Sequence, residues 1–364
     1  MINTKNVVIQ DIAYSLIILI SLGWLLHIGS SLIIPFVFAI LLAVFLYPIE
    51  KRIRKIVKWK GVSILLSFIC LAIPFLIITT LFSYQLVSII ESLPSINDSM
   101  LLGIDKILAK INRLLPFMDL DSDTLLGSGE GTQDLQGPLK FIGQGLLSTT
   151  GIIAALGMSI LYSFFLLYYR NSFKNFIVYQ FEKSSRMDIK ETLSEIKETI
   201  QSYIGGLGIV IIILSVMNSI GLTLIGIEHA IFWGVLAGML AIIPYIGTLL
   251  GGLLPFVFAL ATTDAQWQPI AVVVYYLFIQ QVEGNFITPK IVGDKVDINP
   301  LFAIIALVFF GTFWGIAGII LALPIISIVK IVLTNFESTL PYAILMSSDI
   351  SNKKGIFKRI ANQK

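Results

Sequence analysis

The chain of 364 residues is 56% hydrophobic and 13% charged, and its mean hydropathy is +0.91. Soluble domains carry about 25% charged residues, so this composition excludes an ordinary soluble protein and indicates an integral membrane protein. The net charge of +3 gives no indication of a nucleic-acid partner, and the single cysteine, Cys70, excludes a disulfide within the chain.

Long apolar blocks follow one another along the chain, without the alternation that a β-barrel requires. Most approach the roughly 20 residues that a helix needs to cross a bilayer. Backbone polar groups find no water there, so helices must pair them internally. The blocks are residues 12–26, 32–46, 62–82, 152–169 and 204–225. We therefore predict an all-α polytopic membrane protein built as a multi-span helical bundle.

The first half of the chain predicts four spans and one acidic region. Three spans are expected within residues 1–90, and the basic loop 50–60 between the second and third places the N-terminus in the cytoplasm. Residues 91–145 hold more acids than bases and an amphipathic period, so we expect an acidic extracytoplasmic region there. The fourth span, 146–170, then returns to the cytoplasm.

The second half predicts one amphipathic helix followed by a transport unit. Apolar residues recur every three or four positions from Ile189 to Tyr203, so residues 171–202 are expected to hold a cytoplasmic amphipathic helix. Residues 203–336 are predicted to form the transport unit, with the fifth span, two broken hairpins and an intervening span. The basic tail 337–364 places the C-terminus in the cytoplasm.

Two hydrophobic hairpins of the predicted transport unit are interrupted. The first breaks at 244–247 and the second at 311–315. Charge and parity predict that the hairpins have opposite orientations, as in transporters with inverted repeats. Irregular backbone at membrane depth persists where protein or a water-filled cavity covers it. The sequence leaves open whether each hairpin is re-entrant or spans twice, and a tight turn between ordinary spans is the alternative.

A group of polar residues lies in the span between the two hairpins. Its carboxylate, Glu283, is costly in lipid and needs a partner or a function. Either Glu283 lies at the interface and caps a neighbouring helix, or it lines a polar cavity where the two breaks meet. The predicted substrate or ion pathway comprises Pro244, Tyr245, Gly247, Gln280, Gln281, Glu283, Asn285, Pro289, Gly311 and Gly315.

Enzyme motifs are missing from the sequence. It contains no Walker lysine loop, no His-Glu-x-x-His and no Gly-x-Ser-x-Gly. The two histidines, His27 and His229, lie at predicted membrane boundaries, so we expect neither a metal site nor a cofactor, and we do not expect an enzyme. Active transport without a nucleotide site would draw on an ion or proton gradient.

The C-terminal third carries several motifs in a fixed order, and two further motifs lie near the N-terminus. They are Trp233-Gly234-Val235-Leu236-Ala237-Gly238, Ile243-Pro244-Tyr245-Ile246-Gly247, Gln280-Gln281-Val282-Glu283-Gly284-Asn285, Asn299-Pro300, Leu323-Pro324, Ile34-Pro35-Phe36 and Tyr47-Pro48-Ile49-Glu50. In these motifs the chain resembles the AI-2E family of bacterial permeases, the autoinducer-2 exporter family.

The resemblance implies a homo-oligomer, with a pentamer as the expected stoichiometry, in which the hairpins move against a fixed scaffold. It links members to autoinducer-2 export or to sodium/proton exchange, and it implies the bacterial cytoplasmic (inner) membrane. We therefore predict a secondary transporter that exports a small polar solute such as autoinducer-2. A monovalent cation/proton antiporter with Glu283 as its titrating ligand is the first alternative, and a non-transporting membrane scaffold is the second. The expected partners are the lipid bilayer, the solute or cation, and further copies of the chain.

Overall fold

The computed structural model describes residues 23–80, 82–85, 149–182, 186–244, 246–263, 267–291, 297–336 and 338–348, and singly 14, 17, 18, 20, 21 and 265. These residues form helices and turns, and no strand is found among them. The predicted all-α class is confirmed. Tyr245, the acidic region 91–145 and the tail from residue 349 lie outside the described residues.

Eleven helices and one π-helical segment are described here in chain order. The first half contains α1 (Ser30–Ile53), α2 (Lys60–Gln85), α3 (Thr149–Tyr168), α4 (Arg170–Tyr179) and α5 (Arg186–Ile225). The second half contains α6 (Ala230–Leu240), α7 (Ile246–Thr262), α8 (Trp267–Val282), the π-helical segment (Glu283–Ile287), α9 (Thr288–Ile291), α10 (Pro300–Thr334) and α11 (Leu340–Leu345).

Five stretches of helix are long and apolar enough to cross a membrane, which confirms a multi-pass protein. They are Ser30–Ile53, Lys60–Gln85, Met187–Ile225, Trp267–Ile291 and Pro300–Thr334. The consecutive helices α3 and α4 are bent by 69° and bring the number of candidate spans to six within the part of the chain that the structure describes. Large apolar side chains such as Ile212 and Leu224 are exposed on these helices, as lipid contact requires.

Helix α5 joins two elements that the sequence predicts separately. The expected cytoplasmic amphipathic helix and the fifth span form one helix of 40 residues. No proline interrupts this stretch, and the glycines at its centre lower helix stability by about 1 kcal/mol each without ending the helix. Asp188 lies in the first turn, where a negative charge suits the helix dipole.

The chain folds as two compact units. Unit 1 comprises Met1–Ile64, Ile153–Gln201 and Val296–Lys364, and unit 2 comprises Leu65–Ile152 and Ser202–Lys295. The first interrupted hairpin, α6 and α7, therefore belongs to unit 2, and the second, within α10, belongs to unit 1.

Unit 2 has its core where α6 and α7 pack on α5 and α8. Trp233 and Phe258, from the two arms of the first hairpin, have ring centroids 5.1 Å apart. Phe232 is stacked at 4.2 Å on Phe82 of α2. The buried members of this core are Leu222, Ile227, Ala230, Phe232, Trp233, Phe258, Ala259 and Val272. The aromatic cluster fixes the first hairpin beside α8.

Helix α10 folds back on itself within unit 1. Gly315 has φ 59° and ψ −140°, a conformation that is essentially restricted to glycine. A Cβ on Gly318 would lie 1.9 Å from the carbonyl oxygen of Phe310, although residues eight apart in a straight helix are separated by about 12 Å. The predicted interruption of the second hairpin is therefore confirmed, at the last residue of its predicted break. Its orientation opposite to the first hairpin stays a prediction.

Unit 1 contains a fully buried carboxylate with several partners. Glu50, at the end of α1, is 0% exposed. Its Oε2 accepts a hydrogen bond from Arg170 Nη1 at 2.6 Å, and its Oε1 accepts one from Ser63 Oγ at 3.2 Å. Arg54 Nη1 lies 3.7 Å from the same carboxylate. This paired charge ties α1 to the start of α4.

A second ion pair ties the C-terminal segment to the loop before α10. Lys330 Nζ lies 2.6 Å from Asp297 Oδ2, and the amide and hydroxyl of Ser348 donate to Asp297 Oδ1. Partial burial of the carboxyl acts to raise the pKa of Asp297. The hydrogen bonds from Lys330 and Ser348 outweigh it and hold the pKa well below its ordinary value.

Candidate functional site

Glu283 begins a π-helical segment that interrupts the span from α8 to α9. Such segments widen the helix by one residue and occur frequently at functional sites. The side-chain amide of Asn285 donates to the carbonyl oxygen of Gln281 at 3.0 Å and to its side-chain oxygen at 3.1 Å. The side chains of Gln281 and Asn285 are therefore hydrogen-bonded to each other. Glu283 lies on another face of the helix.

The face of α8 that leads to Glu283 lines a small cavity with both apolar and polar walls. Tyr276, Ile279, Gln280 and Glu283 follow at spacings of three, one and three residues, which places them on one side of the helix. The opposite walls come from α5, α6 and α7. Among the described residues, the lining comprises Leu214, Asn218, Ala237, Thr248, Gly251, Tyr276, Ile279, Gln280 and Glu283. All nine residues belong to unit 2.

The cavity is partly open and has a volume of about 20 Å³. A water molecule needs roughly 10–15 Å³ by the same measure, so this space holds one water, one small ion or one hydroxyl group. It does not hold a whole sugar-sized molecule. A larger solute would therefore place one group in the cavity and the remainder outside it.

Small residues allow the helices around the cavity to approach closely. A Cβ on Gly238 would lie 2.1 Å from Ser215 Oγ, and one on Gly234 would lie 2.3 Å from the backbone nitrogen of Ser219. Gly251 packs similarly on Ala237, with 3.0 Å to its Cβ. Close contact at small residues is the usual way in which membrane helices pack without large side chains between them.

Two buried polar atoms of lining residues have no hydrogen-bond partner among the residues that the structure describes. Asn218 is 3% exposed, and its Oδ1 accepts no hydrogen bond from any described residue. The hydroxyl of Tyr276 is likewise buried, with no partner in the described part of the chain. An unpaired buried polar group costs roughly 1–3 kcal/mol. Two such groups in one lining make the cavity the candidate site.

Glu283 is partly buried and forms no ion pair with any residue that the structure describes. Gln280 is exposed. The structure therefore brings two predicted pathway residues, Gln280 and Glu283, into one cavity lining. It turns Gln281 and Asn285 towards each other, and it places Pro289 exposed in α9, outside the lining.

The first hairpin contributes residues of α6 and α7 to the cavity lining. The described residues of its predicted break are not among them. Pro244 lies in the turn after α6, outside the lining, and Tyr245 lies outside the described residues. Gly247 is packed so tightly that a Cβ would lie 1.7 Å from the carbonyl oxygen of Leu240. Thr248 and Gly251, just after this close contact, do reach the cavity.

The second hairpin contributes no residue to the cavity in unit 2. Gly311 and Gly315 lie in unit 1, where Gly315 makes the fold-back of α10. The predicted meeting of the two breaks around one central site stays a prediction.

Asn218, Thr248 and Tyr276 are lining residues that the sequence reading misses. A lone asparagine inside an apolar span is itself a signal, because polar side chains at membrane depth need partners. Tyr276 gives no comparable signal, since its neighbour Tyr275 has the same side chain and donates to the carbonyl oxygen of Met217 at 2.6 Å.

Sequence comparisons assign the chain to a family of transport proteins. The family model described as AI-2E family transporter matches residues 14–338. The AI-2 transport protein TqsA of Escherichia coli is 25% identical over 327 residues, which cover 88% of this chain and 90% of that protein.

Two further relatives bear the name "Putative transport protein". The protein from Haemophilus influenzae is 23% identical over 325 residues, 87% of this chain and 90% of its own length. The protein from Borreliella burgdorferi is 32% identical over 186 residues, 49% of this chain and 50% of its own length. The family match extends over the described spans, both interrupted hairpins and the cavity. The chain is a multi-pass membrane transport protein and belongs to the AI-2E transporter family.

Proposed function

We propose that the protein is a secondary permease that exports a small polar uncharged solute such as autoinducer-2. The observation that carries this proposal is the polar, partly open cavity inside a membrane-spanning unit, with Asn218, Gln280 and Glu283 in its lining. Binding sites for small molecules combine apolar walls with a few placed polar groups, and this lining has that composition.

The proposed solute class follows from the chemistry of the lining. Among the described lining residues, amide and hydroxyl groups outnumber the one carboxylate, Glu283, and none is basic. Such groups suit an uncharged solute that both donates and accepts hydrogen bonds. The name of the related protein TqsA specifies AI-2 transport, which makes autoinducer-2 the first solute to test.

We further propose the bacterial cytoplasmic membrane as the location, with both termini in the cytoplasm. The end of α1 and the loop after it support this orientation, because Lys51 and Arg52 in the last turn of the helix and Lys55 and Lys58 in the loop are exposed, and such clusters remain on the cytoplasmic side. We also propose a homo-oligomer, with a pentamer as its first candidate, because exposed apolar helix faces can contact further copies as well as lipid.

A monovalent cation/proton antiporter is the second candidate function. The cavity volume of about 20 Å³ suits one dehydrated ion, and the carboxylate of Glu283 has no counter-ion among the residues with described positions. Under this function Glu283 binds the cation and the proton in alternation, so that one is released when the other binds.

Transport into proteoliposomes distinguishes the two functions. The full chain is reconstituted and supplied with autoinducer-2, and separately with Na⁺ and K⁺, under imposed proton and sodium gradients. We expect movement of autoinducer-2 that empty liposomes do not show. Cation-driven proton flux without solute movement would contradict the permease and support the antiporter. If neither the solute nor a cation moves, the result would contradict both transport functions and support the non-transporting membrane scaffold.

A labelling experiment tests the scaffold separately. In a Cys70→Ser background, the variant Thr248→Cys places a thiol in the cavity lining and Leu249→Cys places one on the exposed neighbouring face. We expect a membrane-impermeant, water-soluble thiol reagent to label Thr248→Cys, because a solute pathway contains water. Protection of Thr248→Cys equal to that of Leu249→Cys, which faces lipid, would support a scaffold.

A further inference from the structure

The cavity lining contains one buried acceptor and one buried hydroxyl that no described residue pairs. Asn218 Oδ1 is on α5 and Tyr276 Oη is on α8, and neither has a partner among the described residues. The adjacent Tyr275 provides a contrast, because its hydroxyl donates to Met217 O at 2.6 Å. Of these two neighbouring tyrosines, only Tyr275 has its hydroxyl paired by a described residue.

We propose that Asn218 and Tyr276 form a subsite for a single hydroxyl group of the transported solute. The solute hydroxyl donates its proton to Asn218 Oδ1, and its oxygen accepts a hydrogen bond from Tyr276 Oη. The ligand class is thus a hydroxyl-bearing, uncharged solute. This inference rests on the proposed permease function, since it names the group of the solute that the cavity recognises.

The chemistry of the two atoms favours a hydroxyl over other groups. A hydroxyl carries one donor and two acceptor positions, so it can serve both atoms at once. A carboxylate has no proton for Asn218 Oδ1, and an ammonium has no lone pair for the Tyr276 hydroxyl. A bare cation could use both oxygens as ligands, and this is an outcome that the experiment must separate.

The size of the cavity agrees with one hydroxyl group. Its volume of about 20 Å³ accepts a group the size of water. The rest of the solute then lies beyond the opening, where the exposed Gln280 and the partly exposed Glu283 are the polar residues of the lining. The subsite is therefore a selective contact at one end of a larger pathway.

Matched variants separate this subsite from the surrounding structure. Asn218→Leu removes the acceptor and keeps the number and branching of the side-chain heavy atoms, and Tyr276→Phe removes one oxygen. Tyr275→Phe is the control, because it removes the hydroxyl that already has a protein partner. Each full-length variant is checked for folding in detergent before use, and Tyr276→Phe alone suffices if Asn218→Leu does not fold.

The probes are autoinducer-2 and its analogues that each lack one hydroxyl. Binding to the detergent-solubilised protein is measured by calorimetry, and transport is measured in proteoliposomes. For the wild-type protein we expect one particular deoxygenation to weaken binding about 10- to 100-fold, as the loss of two hydrogen bonds predicts. Asn218→Leu and Tyr276→Phe each remove one of the two bonds and should lower this discrimination by a factor of about 3 to 10, and Tyr275→Phe should preserve it.

The outcomes distinguish the subsite from the function on which it rests. If the two variants lower the binding discrimination but the wild-type protein transports none of the probes, the permease function is overturned and the subsite is retained. Discrimination that is undiminished in both Asn218→Leu and Tyr276→Phe overturns the subsite, whatever the transport result. Absence of binding by every probe also overturns it. Na⁺ binding that both variants weaken, without binding of any hydroxyl-bearing probe, identifies a cation site instead.

Discussion

Glu50 and Glu283 lie in two of the candidate membrane spans, Ser30–Ile53 and Trp267–Ile291, and their surroundings differ. Glu50 in unit 1 is fully buried and has Arg170 at 2.6 Å, Ser63 at 3.2 Å and Arg54 at 3.7 Å. Glu283 in unit 2 is partly buried beside a cavity and has no ion pair within the described residues. A paired buried charge maintains structure, whereas an unpaired one is retained for a function.

The largest expected effect concerns the paired carboxylate. Arg170→Gln leaves Glu50 buried without its closest counter-ion, so we expect the free energy of unfolding to fall by about 3 to 5 kcal/mol. Thermal unfolding of the purified protein in detergent measures this loss. Arg54→Gln is the control, because its partner is more distant and its side chain more exposed, and its effect should stay below about 1 kcal/mol. Equal effects of the two variants would show that Glu50 does not depend on Arg170.

Packing, not charge, should dominate stability beside the unpaired carboxylate. In Gly247→Ala the added Cβ meets the carbonyl oxygen of Leu240 at 1.7 Å, so the first hairpin must shift. We expect a loss of about 2 to 3 kcal/mol together with slower solute transport. Gly208→Ala is the matched control, since nothing lies within 4 Å of its added Cβ. A Gly247→Ala protein as stable as Gly208→Ala would contradict this packing.

The smallest effect concerns Asp297, the second paired carboxylate of unit 1. Its depressed pKa means that the folded state stabilises the charged form. This contribution is complete above the unfolded-state pKa near 3.9, and it declines as the pH falls below about 4 towards the folded-state pKa. Asp297→Asn should therefore cost about 1 to 2 kcal/mol at pH 7 and progressively less below pH 4. Unfolding measured from pH 7 to pH 3 tests this trend, with the exposed Asp188→Asn as control. If the difference in the free energy of unfolding between Asp297→Asn and the wild type does not change with pH, the result would contradict this trend.

The sequence predicts the helical class, the spans and both interruptions, because length, hydropathy and glycine or proline positions are local properties. It does not predict which of Gly311 and Gly315 makes the break, because both are glycine, nor that α5 continues through residue 203, because glycines at 205, 206 and 208 follow that position. These features depend on how the helices pack.

The candidate site is predictable only in part. Ordinary helical spacing groups Gln280 with Glu283 and Gln281 with Asn285, but it does not show which of the two pairs faces a cavity. Two of the four line the cavity and two bind each other. Asn218 and Tyr276 reach the same cavity because α5 packs against α8. Local sequence patterns do not predict this packing.

The most direct test of the difference between the two carboxylates is solute transport by Glu283→Gln in proteoliposomes. Gln keeps the shape of the side chain and removes its charge, and Glu228→Gln, at an exposed position, is the control. We expect Glu283→Gln to fold with a stability within about 1 kcal/mol of wild type and to transport at least about tenfold more slowly, while Glu228→Gln transports normally. Wild-type transport by folded Glu283→Gln, or a loss of stability as large as that of Arg170→Gln, would contradict a functional role for the unpaired carboxylate.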